Sequence, residues 1–421
     1  MKKIIFFLCI LNFSSFLCAK SLKEILNLVE NSEQLKAKSY IVDSTLKKSE
    51  GIKLKYLPSL NLELNYYSFD KDRYLILPKN TMNASLVLDV LLYDGQRSSN
   101  IKLAEKNYEL NKVELEKNKN ELELELTKLY YTYLTLDDNI KFKKQNIDYL
   151  TAALNRLSKL VSVGLKNNDE LQIFKARVEL EKNDLKQSQF QQEEIKSIIY
   201  VITNENYIPT KGSLISYNDN LTNSYEVQIN KIKQEMSSLN KDVAFSNFLP
   251  KIFVKNIFTK SRLNYDYEIF APLDVLVKSK AKENMISNTF IFGFSWNIFS
   301  FGADKKFFES AKLEELAAKN LENQSIRKNK ENIRLIKEKL TIIEEEIKAN
   351  ENILKASDIA FNSIEKKYTA GLLSYVEYLD ALGKLYGANA NLSLSKSKYE
   401  IEKAKLLLEQ GILISNAVVE F

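Results

Sequence analysis

The stretch that decides the fold begins at Tyr93-Asp94-Gly95 and ends at Val163-Gly164-Leu165. Neither proline nor glycine interrupts residues 96–163. The stretch therefore predicts one continuous helix of about 65 residues, about 100 Å long at 1.5 Å per residue. The chain uses the same stretch again from Phe301-Gly302 to Ala370-Gly371-Leu372. Both pairs of boundary glycines are 207 residues apart (302 − 95 and 371 − 164), which predicts two structural repeats per chain.

A seven-residue apolar repeat runs along both predicted long helices. Apolar residues seven apart form one stripe on a helix, and a sustained repeat of this kind imposes left-handed coiled packing. A second helical pattern follows each glycine turn, which predicts an antiparallel return helix. The stripe residues are Leu126, Tyr133, Ile140, Ile147, Leu154 and Val161 in the first repeat, and Ile333, Leu340, Ile347, Leu354, Phe361 and Tyr368 in the second.

The pattern changes from helical to alternating before each long helix. Leu60, Leu62 and Leu64 alternate with polar residues, and residues 290–298 alternate in the same way in the second repeat. Each repeat thus predicts a hairpin of two strands of about ten residues, the length of a strand that spans a bilayer. Four strands cannot close a barrel, and an open edge cannot face lipid. Several chains would have to close it together.

These patterns divide the chain into five parts. Residues 1–19 are a predicted signal peptide, 20–202 the first repeat, 203–222 a linker, 223–410 the second repeat and 411–421 a C-terminal tail. Each repeat is predicted to hold a first helix, a strand hairpin, a long helix and a return helix. The predicted bounds of the last three are about 58–92, 96–162 and 168–202 in the first repeat, and about 250–299, 303–369 and 374–410 in the second.

The composition argues against several kinds of site. The 421 residues include no histidine, and both cysteines, Cys9 and Cys18, lie in the predicted signal peptide, which begins with Lys2-Lys3 and an apolar segment. We predict cleavage after Ala19, with lipid attachment at Cys18 as the alternative. No glycine-rich phosphate loop or metal-ligand cluster is present in the sequence, so we predict no enzyme activity, cofactor or metal site. The net charge of +6 is spread along the chain, which predicts no nucleic-acid partner.

The order of these elements resembles that of the TolC family of outer-membrane efflux and secretion channels. The resemblance covers essentially the whole chain after the signal peptide, and it rests on the order and spacing of several motifs. These motifs are Leu57-Pro58, Leu249-Pro250, Leu92-Tyr93-Asp94-Gly95, Trp296-Asn297-Ile298-Phe299, Val163-Gly164-Leu165, Tyr368-Thr369-Ala370-Gly371 and Tyr375-Val376-Glu377-Tyr378-Leu379-Asp380-Ala381.

The resemblance implies a mostly α fold with a small β part, assembled as a homotrimer. Three chains would form a twelve-stranded β-barrel in outer-membrane lipid, continuous with a periplasmic tunnel of coiled helices. Such a channel passively conducts substrates to the outside in tripartite efflux or type I secretion. Its partners are a periplasmic adaptor (membrane fusion) protein and an inner-membrane pump of the RND or the ABC type.

The resemblance also implies a gate at the helix turns. Tyr368 matches a tyrosine that holds the closed tip, and Glu170, with Asp169 beside it, matches the acidic partner of that tyrosine. Glu377 and Asp380 match two acidic positions that face the lumen at the constriction. The turn residues implied to face the adaptor are Val163, Gly164, Leu165, Gly371 and Leu372.

Simpler interpretations stay open for these residues. Asp169 and Glu170 begin a helix, where the helix dipole favours carboxylates in any protein. Glu377 and Asp380 are three residues apart, and a solvated helix face accounts for them equally well. For the whole chain, the alternative is a secreted coiled-coil scaffold or adhesin without a pore.

The sequence departs from the family pattern at two places. Leu373 stands where some members carry a basic residue in the gate, so the closed-state polar network is expected to be weaker or differently built. The second strand-to-helix turn, Phe299-Ser300-Phe301-Gly302, lacks the aspartate that is common there.

Overall fold

The computed structural model describes residues 18–70, 78–217, 224–265 and 283–420 of the chain. Most of the predicted signal peptide, residues 1–17, lies outside the described residues, and so do residues 218–222 of the predicted linker and the last residue of the tail. The signal peptide therefore stays a prediction.

Long helices make up most of the described chain, which confirms the mostly α fold. The two longest helices have 66 and 67 residues, and no proline interrupts either of them. Both are followed by a glycine turn and a return helix of 36 residues. The α-helices in the described ranges are α1 (Leu22–Asn27), α2 (Glu33–Leu54), α3 (Arg97–Ser162), α4 (Asn168–Thr203), α5 (Tyr225–Phe245), α6 (Ala303–Thr369) and α7 (Tyr375–Gln410).

The described strands form one four-stranded sheet and two small two-stranded sheets. The larger sheet consists of β2 (Ser59–Ser68), β3 (Asn80–Asp94), β6 (Lys251–Asn264) and β7 (Asn284–Ser295) in that order. Its neighbours are antiparallel throughout, so the hairpins of both repeats join at β3 and β6. Strands β2 and β7 are its edges. The strands are β1 (Cys18–Lys20), β2 (Ser59–Ser68), β3 (Asn80–Asp94), β4 (Tyr207–Pro209), β5 (Ser213–Ile215), β6 (Lys251–Asn264), β7 (Asn284–Ser295) and β8 (Val418–Glu420).

The chain divides into two compact units that do not follow the repeats. Unit 1 comprises Met1–Tyr40, Val113–Gln228 and Ser325–Phe421. Unit 2 comprises Ile41–Lys112 and Ile229–Gln324. Each unit therefore takes segments from both repeats.

Unit 2 contains the four-stranded sheet, whose two faces differ in chemistry. Residues paired across neighbouring strands lie on the same face. One face carries most of the apolar side chains, although Asn256, Lys260 and Arg262 also lie on it, whereas hydroxyl, amide and charged groups predominate on the other. On the polar face the hydroxyls of Ser85 and Thr259 are 2.8 Å apart, and Lys255 Nζ lies 3.3 Å from Asp89 Oδ1. The paired residues of the apolar face include Leu60, Leu62, Leu64, Ala84, Leu86, Leu88, Ile252, Val254, Phe292 and Phe294.

A close approach on the polar face requires the glycine in β7. Gly293 pairs with Phe253 of β6, and the Phe253 ring lies over the glycine. A Cβ at position 293 would lie only 2.2 Å from a ring carbon. The aromatic ring thus takes the place of the missing side chain, a known way to support a glycine in a strand.

In unit 1, the predicted linker and C-terminal tail contain secondary structure that the sequence analysis did not include. Strand β4 pairs with β1 in parallel, and β5 pairs with β8 in an antiparallel arrangement. Tyr207 and Ile215 are buried in the core that also contains Leu22, Leu126 and Leu407. These strands have only three residues each, too few for an alternating pattern to show in the sequence.

Side chains from α3 fix the C-terminal segment in the same unit. Asn120 donates to the Ile412 carbonyl at 2.7 Å and accepts from the Ile414 N–H at 3.2 Å. The fully buried Glu123 accepts hydrogen bonds from the N–H and the hydroxyl of Ser415, both at 2.9 Å. Burial raises the pKa of the Glu123 carboxyl above its ordinary value, although these hydrogen bonds oppose the shift.

Candidate functional site

The two long helices end in the same turn. At the first turn, the Leu165 N–H donates to the Leu160 carbonyl at 2.9 Å and the Gly164 N–H to the Val161 carbonyl at 3.0 Å. Leu372 and Gly371 donate to Lys367 and Tyr368 in the same way. This is the Schellman pattern, which needs a left-handed residue, and Gly164 and Gly371 have φ of 75° and 77°.

An apolar cluster packs the four helix ends beside these turns. It joins α3, α4, α6 and α7, all within unit 1. Its buried members are Leu150, Ala153, Leu157, Leu171, Phe174, Val178, Phe361, Tyr378, Ala381 and Leu382.

Aromatic rings connect three of these helices. Tyr378 of α7 is only 3% exposed, and its ring is stacked on that of Tyr368 of α6 with centroids 4.6 Å apart. Phe361 of α6 contacts Tyr378 at 5.9 Å and Tyr149 of α3 at 5.5 Å between centroids. The stack therefore ties the end of α6 to the start of α7.

Glu170 and Arg156 lie near enough to Tyr368 to influence the pKa of its hydroxyl. Burial raises the pKa of the Tyr368 hydroxyl, the nearby Glu170 carboxylate raises it further, and the Arg156 guanidinium opposes both. Glu170 also lies 3.3 Å from Lys166 Nζ. Asp169 is exposed in the first turn of α4, where the helix dipole favours a carboxylate.

Arg156 is a residue of this site that the sequence analysis missed. Its guanidinium Nη2 donates to the carbonyl oxygen of Thr369, the last residue of α6. The arginine lies in α3, so this bond links two helices at the turn, and it places a positive charge at a helix carboxyl end, where the dipole favours it. No local motif marks this arginine, because its partner is 213 residues away in the sequence.

Glu377 and Asp380 bond within their own helix. Glu377 and Ser374 form a capping box at the start of α7, with Glu377 Oε2 accepting from the Ser374 N–H at 2.9 Å. Hydrogen bonds from Ser374, first from its backbone and then from its hydroxyl, lower the pKa of Glu377. Asp380 pairs with Lys384 at 2.7 Å, four residues along the helix. Both carboxylates are exposed to solvent.

The turn residues predicted to face an adaptor present apolar side chains to solvent. Val163, Leu165 and Leu372 are all about 70% exposed. Each turn therefore exposes at least one apolar side chain to solvent.

Metal-binding clusters and membrane-spanning helices are both absent from the described ranges. Among those residues, no group of three or more acidic or cysteine side chains is placed to hold a metal ion. None of the helices described combines enough length with enough apolar character to cross a membrane.

Comparison with known proteins identifies the family. The family model for outer membrane efflux proteins matches residues 25–200 and 217–408. No curated protein sequence matches the chain significantly.

Solved structures share the fold at low sequence identity. The outer membrane protein VceC from Vibrio cholerae aligns with a TM-score of 0.79 at 13% identity, covering 93% of this chain and 96% of that one. The Campylobacter jejuni CmeC outer membrane channel aligns with a TM-score of 0.77 at 15% identity, covering 93% and 85%. CusC, described by its transmembrane channel formation, aligns with a TM-score of 0.79 at 13% identity over 94% of both chains.

The family match extends over both repeats, including α3 and α6 and the turns that end them. The structural matches cover the same elements over nearly the full length of each chain. The chain belongs to the outer membrane efflux protein family, and it is an exit channel of tripartite efflux in the outer membrane that extends into the periplasm.

Proposed function

We propose that three copies of this chain close their sheets into one twelve-stranded barrel and that the glycine turns form the gate at the periplasmic end. The observation that carries the proposal is the four-stranded sheet with one mainly apolar face, one mainly polar face and two open edges. Open edges are excluded from lipid because each unpaired backbone group costs several kcal/mol there. Pairing β7 of one copy with β2 of the next satisfies both edges.

Barrel closure also explains the two faces. Leu60, Leu62 and Leu64 are exposed, as are Phe290 and Phe292, which is costly in water but favourable against lipid acyl chains. The polar face then lines the channel. Its hydroxyl, amide and paired charged groups suit a water-filled passage that conducts passively.

The gate contacts suggest how the channel closes. Arg156 from α3 and Glu170 from α4 approach the end of α6 at Thr369 and Tyr368. Because Tyr368 is stacked on Tyr378, α6 and α7 move together when these contacts break. Opening then separates the α6–α7 pair from the α3–α4 pair at the turns.

Glu377 and Asp380 are proposed to form two acidic rings at the constriction of the trimer. Rings of carboxylates attract cations at a pore. Glu377→Gln keeps the capping box, since glutamine serves there as well, and Asp380→Asn removes the charge together with the exposed ion pair to Lys384. We expect the double variant to lose most of its cation selectivity in single-channel recordings. Unchanged selectivity with normal conductance would show that these residues do not line the constriction.

The exposed apolar turns are proposed to bind a periplasmic adaptor, which links the channel to an inner-membrane pump of the RND or the ABC type. A photo-crosslinking residue at Leu165 or Leu372 is expected to capture the adaptor in cells that make the whole system. The same residue at Val201, an exposed apolar position on α4 far along the chain from the turn, is the matched control. Equal capture from all three positions contradicts docking at the turns.

The trimer is tested first. Protein extracted from outer membranes is expected to run as a heat-dissociable trimer and to conduct in planar bilayers. A water-soluble monomer in the periplasmic fraction would support the scaffold alternative instead.

A further inference from the structure

Two cations lie on the face of the sheet that carries most of the apolar side chains. They are Lys260 and Arg262 of β6, two residues apart and therefore on the same face, with Cα atoms about 7 Å apart. Both side chains are exposed. No other charged residue lies on this face of the four described strands. We call Lys260 and Arg262 the outer cation pair.

The side chains beside the outer cation pair are uncharged and partly apolar. Lys260 pairs across the sheet with Ala84 and Ile286, and the Ile286 side chain is 65% exposed. Arg262 pairs with Met82, which is 56% exposed. This part of the surface therefore offers positive charge and apolar contact side by side. That combination fits an anion that carries acyl chains.

The lysines on the opposite face of the same strand have acidic partners. Lys251 Nζ lies 3.4 Å from Asp94 Oδ2, and Lys255 Nζ lies 3.3 Å from Asp89 Oδ1. The cations of β6 on the polar face are thus neutralised within the sheet. The cross-strand neighbours of the outer cation pair carry no charge, so a neutralising partner has to come from outside the sheet.

The outer cation pair lies at the end of the sheet away from the long helices. Strand β6 starts at Lys251, soon after α5, and ends at Asn264, whereas β7 runs back and leads into α6. The helices of this channel extend into the periplasm. The end of β6 at Asn264 therefore points to the outside of the cell.

The position along β6 places the cations at the outer boundary of the membrane. Arg262 lies ten residues beyond Ile252, the first apolar residue of this face on β6. That length is about 33 Å along a strand, or about 25 Å in height at a tilt of about 40°, which equals the height of the apolar band of an outer-membrane barrel. Lys260 lies about 5 Å lower, and its methylene chain can carry the ammonium group to the boundary.

A second copy of the chain does not cover this surface in the proposed barrel. Strand β6 is paired with β3 on one side and β7 on the other. Pairing between copies takes place at the edges, β2 and β7. The outward face of β6 is therefore in contact with lipid.

We propose that the outer cation pair binds the phosphates of lipid A, the phosphorylated and multiply acylated glycolipid of the outer leaflet, with one lipid bound per chain. The arginine offers a fork of N–H donors that matches a phosphate, and the lysine adds a point charge. Ile286 and Met82 contact the acyl chains of the same molecule. The inference rests on the proposed barrel, which turns this face of the sheet to the lipid.

Binding is measured on purified trimers in detergent by native mass spectrometry. The probes are lipid A, lipid A from which the phosphates have been removed, and phosphatidylglycerol. We expect tight binding of lipid A alone. Equal binding of the phosphate-free form overturns the site, and this comparison needs no substitution, so it remains decisive if a variant fails to assemble. Equal binding of phosphatidylglycerol overturns the assignment to lipid A.

Substitutions test which charges are responsible. Lys260→Gln with Arg262→Gln is expected to weaken lipid A binding by about 30-fold, since each cation near an anionic surface contributes roughly a factor of five. The control is Lys305→Gln with Lys306→Gln, which removes two exposed charges from the start of α6, near the opposite end of the sheet. An equal loss in both double variants contradicts the site.

Exchanging the two cations separates charge from strand structure. Lys260→Arg with Arg262→Lys keeps both charges and is expected to keep lipid A binding. If this variant loses as much binding as the uncharged one, the strand itself and not its charge is responsible, and the proposal fails.

Trimer content is measured on the same samples. Intact trimers that do not bind lipid A overturn the lipid site and leave the barrel standing. A chain that forms no trimers and does not insert into bilayers overturns both proposals together.

Discussion

Replacing Arg156 with glutamine removes a positive charge from the carboxyl end of α6. In the structure its guanidinium bonds the Thr369 carbonyl and so joins α3 to α6 at the turn. If this contact exists in the closed channel and is broken on opening, Arg156→Gln destabilises only the closed state. The variant channel is then open more often than the parent.

The size of the effect follows from the exposure of the arginine. A cation at an exposed helix carboxyl end, with one charge-assisted hydrogen bond, contributes about 1 kcal/mol. Three chains that open together lose about 3 kcal/mol, and about 1.4 kcal/mol corresponds to a factor of ten. We therefore expect the ratio of open to closed channel to rise about a hundredfold. Because screening weakens exposed charges, the difference should shrink at about 1 M salt.

Single-channel recording in planar bilayers measures this ratio directly. Arg177→Gln is the matched control, because Arg177 pairs with Glu181 of the same helix at 2.7 Å and so leaves the links between helices intact. An open-to-closed ratio for Arg156→Gln within a factor of three of the control, at low salt, would refute the reasoning.

Two further predictions concern folding. Gly293→Ala puts a methyl group against the Phe253 ring, so we expect fewer trimers on gels of unheated samples, with recovery when Phe253→Ala is added. The pKa of Glu123 is raised in the folded chain, so above pH 4.5 the folded chain binds more protons than the unfolded chain. The protonated Glu123 carboxyl therefore contributes to the free energy of unfolding. This contribution is fully present below pH 4.5 and is lost as pH rises through the folded pKa. Glu123→Gln should remove that part of the pH dependence of the trimer melting temperature, and an unchanged slope would contradict it.

The architecture could be predicted from the sequence because its signals are long. Two glycine-bounded stretches are separated by the same number of residues at both ends, and each has a sustained heptad pattern. Together they indicate a repeated long helix, independently of the rest of the sequence. The structure ends α3 at Ser162 and α6 at Thr369, followed by Gly164 and Gly371 in left-handed turns. Periodicity and turn chemistry both act locally, so the sequence alone reveals them.

Contacts between distant segments could not be predicted in this way. Strands β1, β4, β5 and β8 have three residues each, and their partners lie far along the chain. The clamp of Asn120 and Glu123 on the C-terminal segment spans 292 to 294 residues. A polar residue in a long helix gives no sign of being buried until the packing is known.

At the proposed gate, too, a contact between distant segments could not be predicted from the sequence. A double variant tests that contact. A leucine at position 373 suggests a weak polar gate, yet Arg156 supplies a cation to the end of α6 from the neighbouring helix. We propose that the closed gate needs a positive charge near that helix end, where the dipole favours it, and that an arginine at position 373, between Thr369 of α6 and Ser374 at the start of α7, would also supply one. Leu373→Arg added to Arg156→Gln should therefore return most of the lost closure in single-channel recordings. If the double variant stays as open as Arg156→Gln, the geometry of the Arg156–Thr369 bond matters and the charge alone does not.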